Sequence, residues 1–148
     1  MKIAIGSDHA GFDLKQTIQS HLAAQGYELT DFGTFDKTSC HYPNIAKEVA
    51  HAVASAACAR GILVCGTGIG MSIAANKVRG IRAAALSDCF TAEATRKHND
   101  ANILCLGERT VGPGLAVLLT DIFLKTEFEG GRHQTRVDMI SELESDNL

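Results

Sequence analysis

Short apolar runs alternate with amphipathic stretches along almost the whole chain. Lys2 to Gly6 is apolar enough for a buried strand and opens into the polar loop Ser7-Asp8-His9-Ala10-Gly11. From Phe12 to Gln25, Phe12, Leu14, Ile18 and Leu22 recur at helical spacing until Gly26 stops them. Tyr27 to Phe32 alternates as a second strand, and a loop runs from Gly33 to His41. Tyr42-Pro43 then opens a long helix through Ala57, because proline is favoured in a helix's first turn.

The same rhythm continues. Gly61 to Cys65 predicts a third strand, Ser72 to Val78 continues a helix that opens after a glycine-rich loop, and Ile81 to Leu86 gives a fourth strand. Phe90 to His98 reads as a helix, Asn102 to Leu106 as a fifth strand, and Gly112 to Phe128 as mostly helix. Gly130-Gly131 breaks that helix before a last one from Arg132 to Glu144. Strands that are apolar on both sides, alternating with helices, predict a parallel sheet covered on both faces. The expected architecture is α/β: a three-layer, Rossmann-like sandwich with a five-stranded parallel sheet and a C-terminal helix. No repeat or linker divides the chain, so residues 1–148 form a single domain.

Composition narrows the function classes. The chain is 148 residues long, 45% hydrophobic and 21% charged, with a net charge of −3. There is no basic footprint for nucleic acid. No run approaches the ~18 apolar residues of a membrane span. An acidic residue arrives at Asp8, too early for a signal peptide. The five cysteines, Cys40, Cys58, Cys65, Cys89 and Cys105, are odd in number and lack a CxxC pair. That speaks against a disulfide framework or a zinc cluster and for a reducing, cytoplasmic setting. Cys105, in an apolar run, and Cys58, at the end of an alanine-rich helix, read as small buried hydrophobes.

One stretch concentrates chemistry: Leu63-Val64-Cys65-Gly66-Thr67-Gly68-Ile69-Gly70-Met71. Strand, glycine loop and helix follow one another, so bare backbone N–H groups at a helix N-terminus offer a seat to an anion. A thiol beside those dipoles is activated as a base or a nucleophile. Parallel sheets bind ligands beyond the carboxyl ends of their strands. Asp8-His9, Cys65 to Gly70 and Gly107-Glu108-Arg109 all belong to that edge. Taken singly, Asp8 reads as a loop cap and Arg109 as a surface charge.

Several alternatives stand beside this reading. Gly66, Gly68 and Gly70 give G-x-G-x-G rather than the G-x-G-x-x-G of dinucleotide sites, although Asp88 lies about twenty residues on. The glycines could equally serve a tight strand–helix turn. No G-x-x-x-x-G-K-[ST] occurs, which excludes a P-loop hydrolase. Arg132 and Arg136 stand at i and i+4, where like charges repel. Either a phosphate gripped by both guanidiniums or neutralisation by Glu129 and Asp138 would compensate. His98-Asn99-Asp100 ends a helix with Arg96 and Lys97 in its last turn, and locally this reads as capping.

Taken together, Gly6-Ser7-Asp8-His9-Ala10-Gly11-Phe12, Tyr42-Pro43, Cys65 to Gly70, Ala74-Ala75-Asn76-Lys77, His98-Asn99-Asp100 and Gly130-Gly131-Arg132-His133 resemble the type B ribose-5-phosphate isomerase family. That family also includes allose- and galactose-6-phosphate isomerases. The pieces run in order nearly end to end. One departure is His41, where the family pattern has an aspartate before Tyr-Pro.

The resemblance implies aldose–ketose isomerisation of a sugar phosphate, ribose 5-phosphate first, with no metal or cofactor. A hexose 6-phosphate substrate is the alternative within that chemistry, and a nucleotide- or phosphate-binding sensor is the alternative from another class. By position, Cys65 would be the base and Gly66, Thr67, Gly68, Ile69 and Gly70 the cradle for an enediolate. His98 would open the sugar ring, assisted by Asp8 or Thr67, and Asn99 would bind the intermediate. Arg132 and Arg136, with Arg109 and His9, would hold phosphate and hydroxyls. Cys65 as a covalent nucleophile is disfavoured, because no dedicated base stands beside it. A helix between parallel strands ends at the opposite edge of the sheet from the Cys65 loop. His98 is therefore expected to serve a neighbouring subunit, in a homodimer or tetramer with shared sites.

Overall fold

Side-chain alternation along the strands divides the core in two. Ile3, Ile5, Ile62, Val64, Leu104 and Leu106 face one way, while Ala4, Leu63, Cys65, Ile103 and Cys105 face the other. Both sets are almost wholly buried. A sheet apolar on both faces needs a helical layer on each, and the computed structural model has both. It describes residues 1–146.

The strands are β1 (Lys2–Ser7), β2 (Glu28–Asp31), β3 (Arg60–Cys65), β4 (Ala83–Ala85) and β5 (Ile103–Gly107). They form one parallel sheet in the order β2-β1-β3-β5-β4. The helices are α1 (Phe12–Ala24), α2 (Tyr42–Ala54), α3 (Ile69–Ala75), α4 (Cys89–Asn99), α5 (Pro113–Lys125) and α6 (Arg132–Asp146), with a 3-10 turn at His9–Gly11. Leu14, Ile18 and Leu22 of α1 join Ala92 of α4 and Leu119 and Phe123 of α5 over the isoleucine face. Ala46, Val49, Ala50 and Val53 of α2 join Met71 and Ala75 of α3 over the other. α6 packs outside these layers against α4 and buries only His133 and Val137. The three-layer sandwich, its five parallel strands and its C-terminal helix are as the sequence predicts.

The order of the strands sets the site. From β1 the chain crosses outward to β2, and from β3 it crosses the other way to β4. Neighbouring strands whose connections diverge leave a crevice at their carboxyl ends, where parallel sheets receive ligands. The register puts Ser7 beside Val64 and Cys65 beside Gly107, so three loops leave from one edge.

Several boundaries move for local reasons. α3 begins at Ile69, because Gly68 takes a left-handed φ of 78° and starts the helix directly. It stops at Ala75 rather than Val78. Asn76 then turns its amide to the backbone of Ala83, donating at 2.9 Å and accepting at 2.8 Å, as a strand neighbour would. β4 shrinks from Ile81–Leu86 to three residues, since the Asn102 side chain rather than a strand ladder holds the Arg82 N–H at 2.8 Å. α2 ends at Ala54, not Ala57, where Ser55 caps it and Ala56 adopts a φ of 59°. Cys58 therefore lies in the connection, yet it is buried as expected. α5 stops at Lys125 instead of Phe128, because Thr126 turns extended.

Candidate active site

The three loops at the carboxyl edge are stitched together by their backbones. Asp8 N–H donates to the Val64 carbonyl at 3.2 Å, Glu108 N–H to that of Cys65 at 2.9 Å, and Arg109 N–H to that of Gly66 at 3.0 Å. Between them lies an open cleft of about 450 Å³, walled by Asp8, His9, Cys65, Gly66, Thr67, Gly70 and Arg109, with Tyr42, Ile69 and Ile73 on the α2–α3 side.

Cys65 ends β3 and is buried, 6% exposed as a residue. Its Sγ accepts from the Gly68 N–H at 3.1 Å, which ties it to the turn that opens α3. The sulfur therefore borders the turn that opens α3, with the Gly68 N–H aimed at it. Cys105 makes the contrast. Burial pushes its thiol well up, and the nearby Cys65 adds to the effect, so it is an inert hydrophobe. Gly66 leaves room for Arg109, whose Nη1 would stand 3.2 Å from an added Cβ. Gly70 is more demanding. A Cβ there would meet the Tyr42 ring at 2.8 Å, so the glycine is what lets Tyr42 close the cleft wall. The glycines thus serve a turn and a cradle at once.

Asp8 uses Oδ1 to accept from the N–H groups of Ala10 at 2.9 Å and Gly11 at 3.2 Å, which is the capping role expected of it alone. It nevertheless lines the cleft. His9 accepts from the Cys40 N–H at 3.2 Å through Nδ1, leaving Nε2 toward other partners. Among the described residues, Arg109 makes no ion pair or side-chain hydrogen bond and stands available to an anion. Asp88 does not support a nucleotide site. Both its oxygens are engaged by Thr91, at 2.8 Å from the N–H and 2.6 Å from the hydroxyl, as the cap of α4. Those bonds hold its carboxyl below the usual range.

The remaining predicted residues lie elsewhere. His98, Asn99, Arg132 and Arg136 are outside the Cys65 cleft. His98 and Asn99 end α4, just before Asn102, whose carbonyl receives the Gly61 N–H at the start of β3. Cys65 stands at the other end of that ladder, four residues or about 13 Å along the sheet. His98 and Asn99 are exposed. The cap itself is Asp100, left-handed at φ 44°, rather than Asn99. Arg96 is no dipole ornament on the surface: it is 1% exposed and donates to Asp100 at 2.8 Å and to the Ala101 carbonyl at 2.5 Å.

Arg132 and Arg136 project from the exposed side of α6. The neutralising partners expected for them are taken: Glu129 faces His133 at 3.6 Å, and Asp138 accepts from Gln134 at 2.7 Å. Among the described residues neither arginine has an ion pair. His133, which the sequence reading gave no role, stacks on His98 with centroids 4.4 Å apart and planes at 16°. Burial, then the charges of His98, Arg132 and Arg136, lower its pKa, against a smaller opposing effect of Glu129. Tyr42 is the other lining residue that was missed. Its signal is the Tyr-Pro pair, which marks a helix start and one piece of the family resemblance but no site role.

Residues 3–140 match the family model described as Ribose/Galactose Isomerase. The chain belongs to that family. Ribose/galactose isomerases similar to it include the Ribose-5-P isomerase B of Listeria innocua, 50% identical over 147 residues and covering 99% of both chains. The Ribose-5-phosphate isomerase B of Escherichia coli is 49% identical over 143 residues, covering 97% of this chain and 96% of its own. Among solved structures, Ribose-5-Phosphate Isomerase B of Clostridium thermocellum superposes with a TM-score of 0.99 at 55% identity, with both chains covered completely. No described helix is long and apolar enough to cross a membrane.

Proposed function

We propose that this chain interconverts ribose 5-phosphate and ribulose 5-phosphate by proton transfer through an enediolate. The observation that carries the reading is Cys65, a thiol fixed by the Gly68 N–H at a helix start, in a cleft that also holds Asp8, His9, Thr67 and Arg109. In the open-chain aldose, the thiolate of Cys65 takes the C2 proton. The electron pair moves into a C1–C2 double bond, and the C1 oxygen becomes an enediolate. The N–H groups of the Gly66–Gly70 turn are the cradle that stabilises that charge as it forms in this reading. A proton passes from the C2 hydroxyl to the C1 oxygen and the thiol returns its own proton to C1, giving the ketose. Nothing is oxidised or reduced overall, and no cofactor is called for.

Ring opening needs an acid at the ring oxygen and a base at the C1 hydroxyl. We assign it to His98, with Asn99 binding the intermediate and Arg132 and Arg136 the phosphate, all from a second chain. Two observations support sharing. These four residues lie beyond the Cys65 cleft of their own chain, and the two arginines have no ion pairs among the described residues. Ile69 and Ile73 at the cleft rim are 56% and 58% exposed, an apolar border that a partner would cover. Five free cysteines suit the reducing cytoplasm.

A panel of pentose 5-phosphates and hexose 6-phosphates tests the substrate: turnover should favour ribose 5-phosphate, and a preference for allose or galactose 6-phosphate would overturn it. Cys65→Ala should abolish turnover while the fold and phosphate binding persist. If isomerisation survives in Cys65→Ala, Cys65 is not the base. Sharing has its own test. Refolding Cys65→Ala and His98→Asn together should restore about one quarter of wild-type activity, the statistical share of intact sites in hybrid dimers. A mixture as inactive as its components, or a fully active monomer, excludes it.

A further inference from the structure

We propose that His98, Glu129 and His133 form a binding site for a zinc-class divalent transition-metal ion, through which such ions switch the enzyme off. The three donors come from three segments whose backbones are joined. His98 ends α4; Glu129, in the α5–α6 connection, donates its N–H to the Lys97 carbonyl at 3.1 Å; and His133 opens α6 with its N–H on Gly130 at 3.0 Å. One ligand atom from each side chain lies within 4.8 Å of the other two. Two imidazoles and a carboxylate are a donor set suited to Zn²⁺, Co²⁺ or Ni²⁺.

One adjustment is needed: His98 must turn out of its stack on His133, because near-parallel rings 4.4 Å apart cannot both aim a nitrogen lone pair at one ion. Metal–ligand bonds of about 2.0–2.2 Å place tetrahedral ligand atoms about 3.4 Å apart. His98 and Glu129 are exposed and can swing inward, whereas His133 is buried and fixed. Neither imidazole has a hydrogen bond among the described residues, and the Glu129–His133 separation of 3.6 Å is longer than one. Two imidazoles and a carboxylate gathered this closely, with neither ring committed to a hydrogen bond, leave their nitrogens available to an ion. Three protein ligands leave a fourth position open, as in exchangeable sites. Arg132 and Arg136 on the same helix weaken the hold on a dication and favour an anion at that fourth position.

Metal on His98 takes a ring nitrogen of the residue assigned above to ring opening and fixes the ring away from that task. The switch therefore rests on the proposed function, while binding does not. Co²⁺ titrated into metal-free protein, in a buffer without chelator or phosphate, should give one ion per chain with visible d–d absorption. Glu129→Gln, an exposed change outside the proposed catalytic machinery, should weaken binding about tenfold or more and keep the metal-free activity. Cys65→Ala should bind as the wild type does. Absence of binding overturns the site, and so does binding that Cys65→Ala abolishes and Glu129→Gln leaves intact. Zn²⁺ should inhibit the wild type reversibly and spare Glu129→Gln at the same concentration. Full activity with the metal bound leaves the site standing and removes His98 from the reaction.

Discussion

Lys15 places its ammonium 2.8 and 2.9 Å from the two carboxylate oxygens of Asp31, and its side chain is 1% exposed. The same nitrogen donates to the Thr34 carbonyl at 2.5 Å and lies beside the rings of Phe12 and Phe35. Asp31 also accepts from Gly33 N–H at 2.8 Å and from Gln19. The pair fastens the start of the 33–41 loop, which borders His9, to α1. Asp31→Ala leaves an ammonium buried without its counter-ion and is expected to cost about 3 kcal/mol. Lys15→Met leaves a partly exposed carboxylate that keeps two donors, and should cost about 1–2 kcal/mol. Urea unfolding midpoints of the two variants give the ranking; equal losses would contradict it.

Glu108 reaches from the β5 loop to the N-terminus of α1, accepting from Leu14 N–H at 2.9 Å. α1 has no cap of its own, since Gly11 occupies that position. Glu108→Ala is expected to lower stability by about 1 kcal/mol and to speed hydrogen exchange at the Leu14 amide. Because Arg109 follows directly, the KM for the sugar phosphate should rise more than kcat falls. Unchanged exchange at Leu14 would remove the cap from the account.

Gly70→Ala introduces a methyl group 2.8 Å from the Tyr42 ring. Overpacking of this kind costs about 1–3 kcal/mol. Tyr42→Leu should relieve much of that loss in the double variant, so the two changes will not add in a double-mutant cycle. Strict additivity in thermal unfolding would show that the ring and the glycine do not bear on each other.

His133 gives the pH dependence. Burial, together with His98, Arg132 and Arg136, lowers its pKa below the ordinary 6.5. In acid the unfolded chain takes up a proton that the folded chain refuses, so folding loses stability as pH falls through 6.5 toward the folded value. Above 6.5 this contribution is flat. An NMR titration of the His133 ring should give a midpoint below 6.5, and a midpoint above it would reverse the sign. Unfolding midpoints at pH 7.5 and 5.5 should differ between wild type and His133→Gln.

The strand–glycine–helix signal around Cys65 was legible because each part depends on neighbours in sequence: an apolar run, three glycines, then helical spacing. Asp8 as a cap and Cys58 and Cys105 as buried thiols were legible for the same reason. What was not legible depends on contacts between distant segments. Asn102 and Asn76 replace ladder bonds at β4 through side chains from other elements, so no local pattern could shorten that strand. The burial of Arg96 follows from α5, whose Phe123 ring lies beside the guanidinium and past whose end the Thr126 carbonyl accepts from it at 3.3 Å. His133 reads as an ordinary helix-start residue until α6 lies on α4. The separation of His98 from Cys65, by contrast, followed from parallel topology alone.

The strand order also bears on how the chain is made. β5 lies between β3 and β4 and supplies, among the described residues, the only strand pairing that β4 has. Until Ile103–Gly107 has left the ribosome, β2, β1 and β3 form one incomplete sheet, and Ala83–Ala85 has no strand to join. The inner edge of β3 is exposed for that interval, with Ile62, Leu63 and Val64 uncovered beside open backbone groups. Such edges invite pairing with the wrong chain. The centre of this sheet is among the last parts to be filled, so nascent chains that stall before Gly107 are the ones most exposed to aggregation.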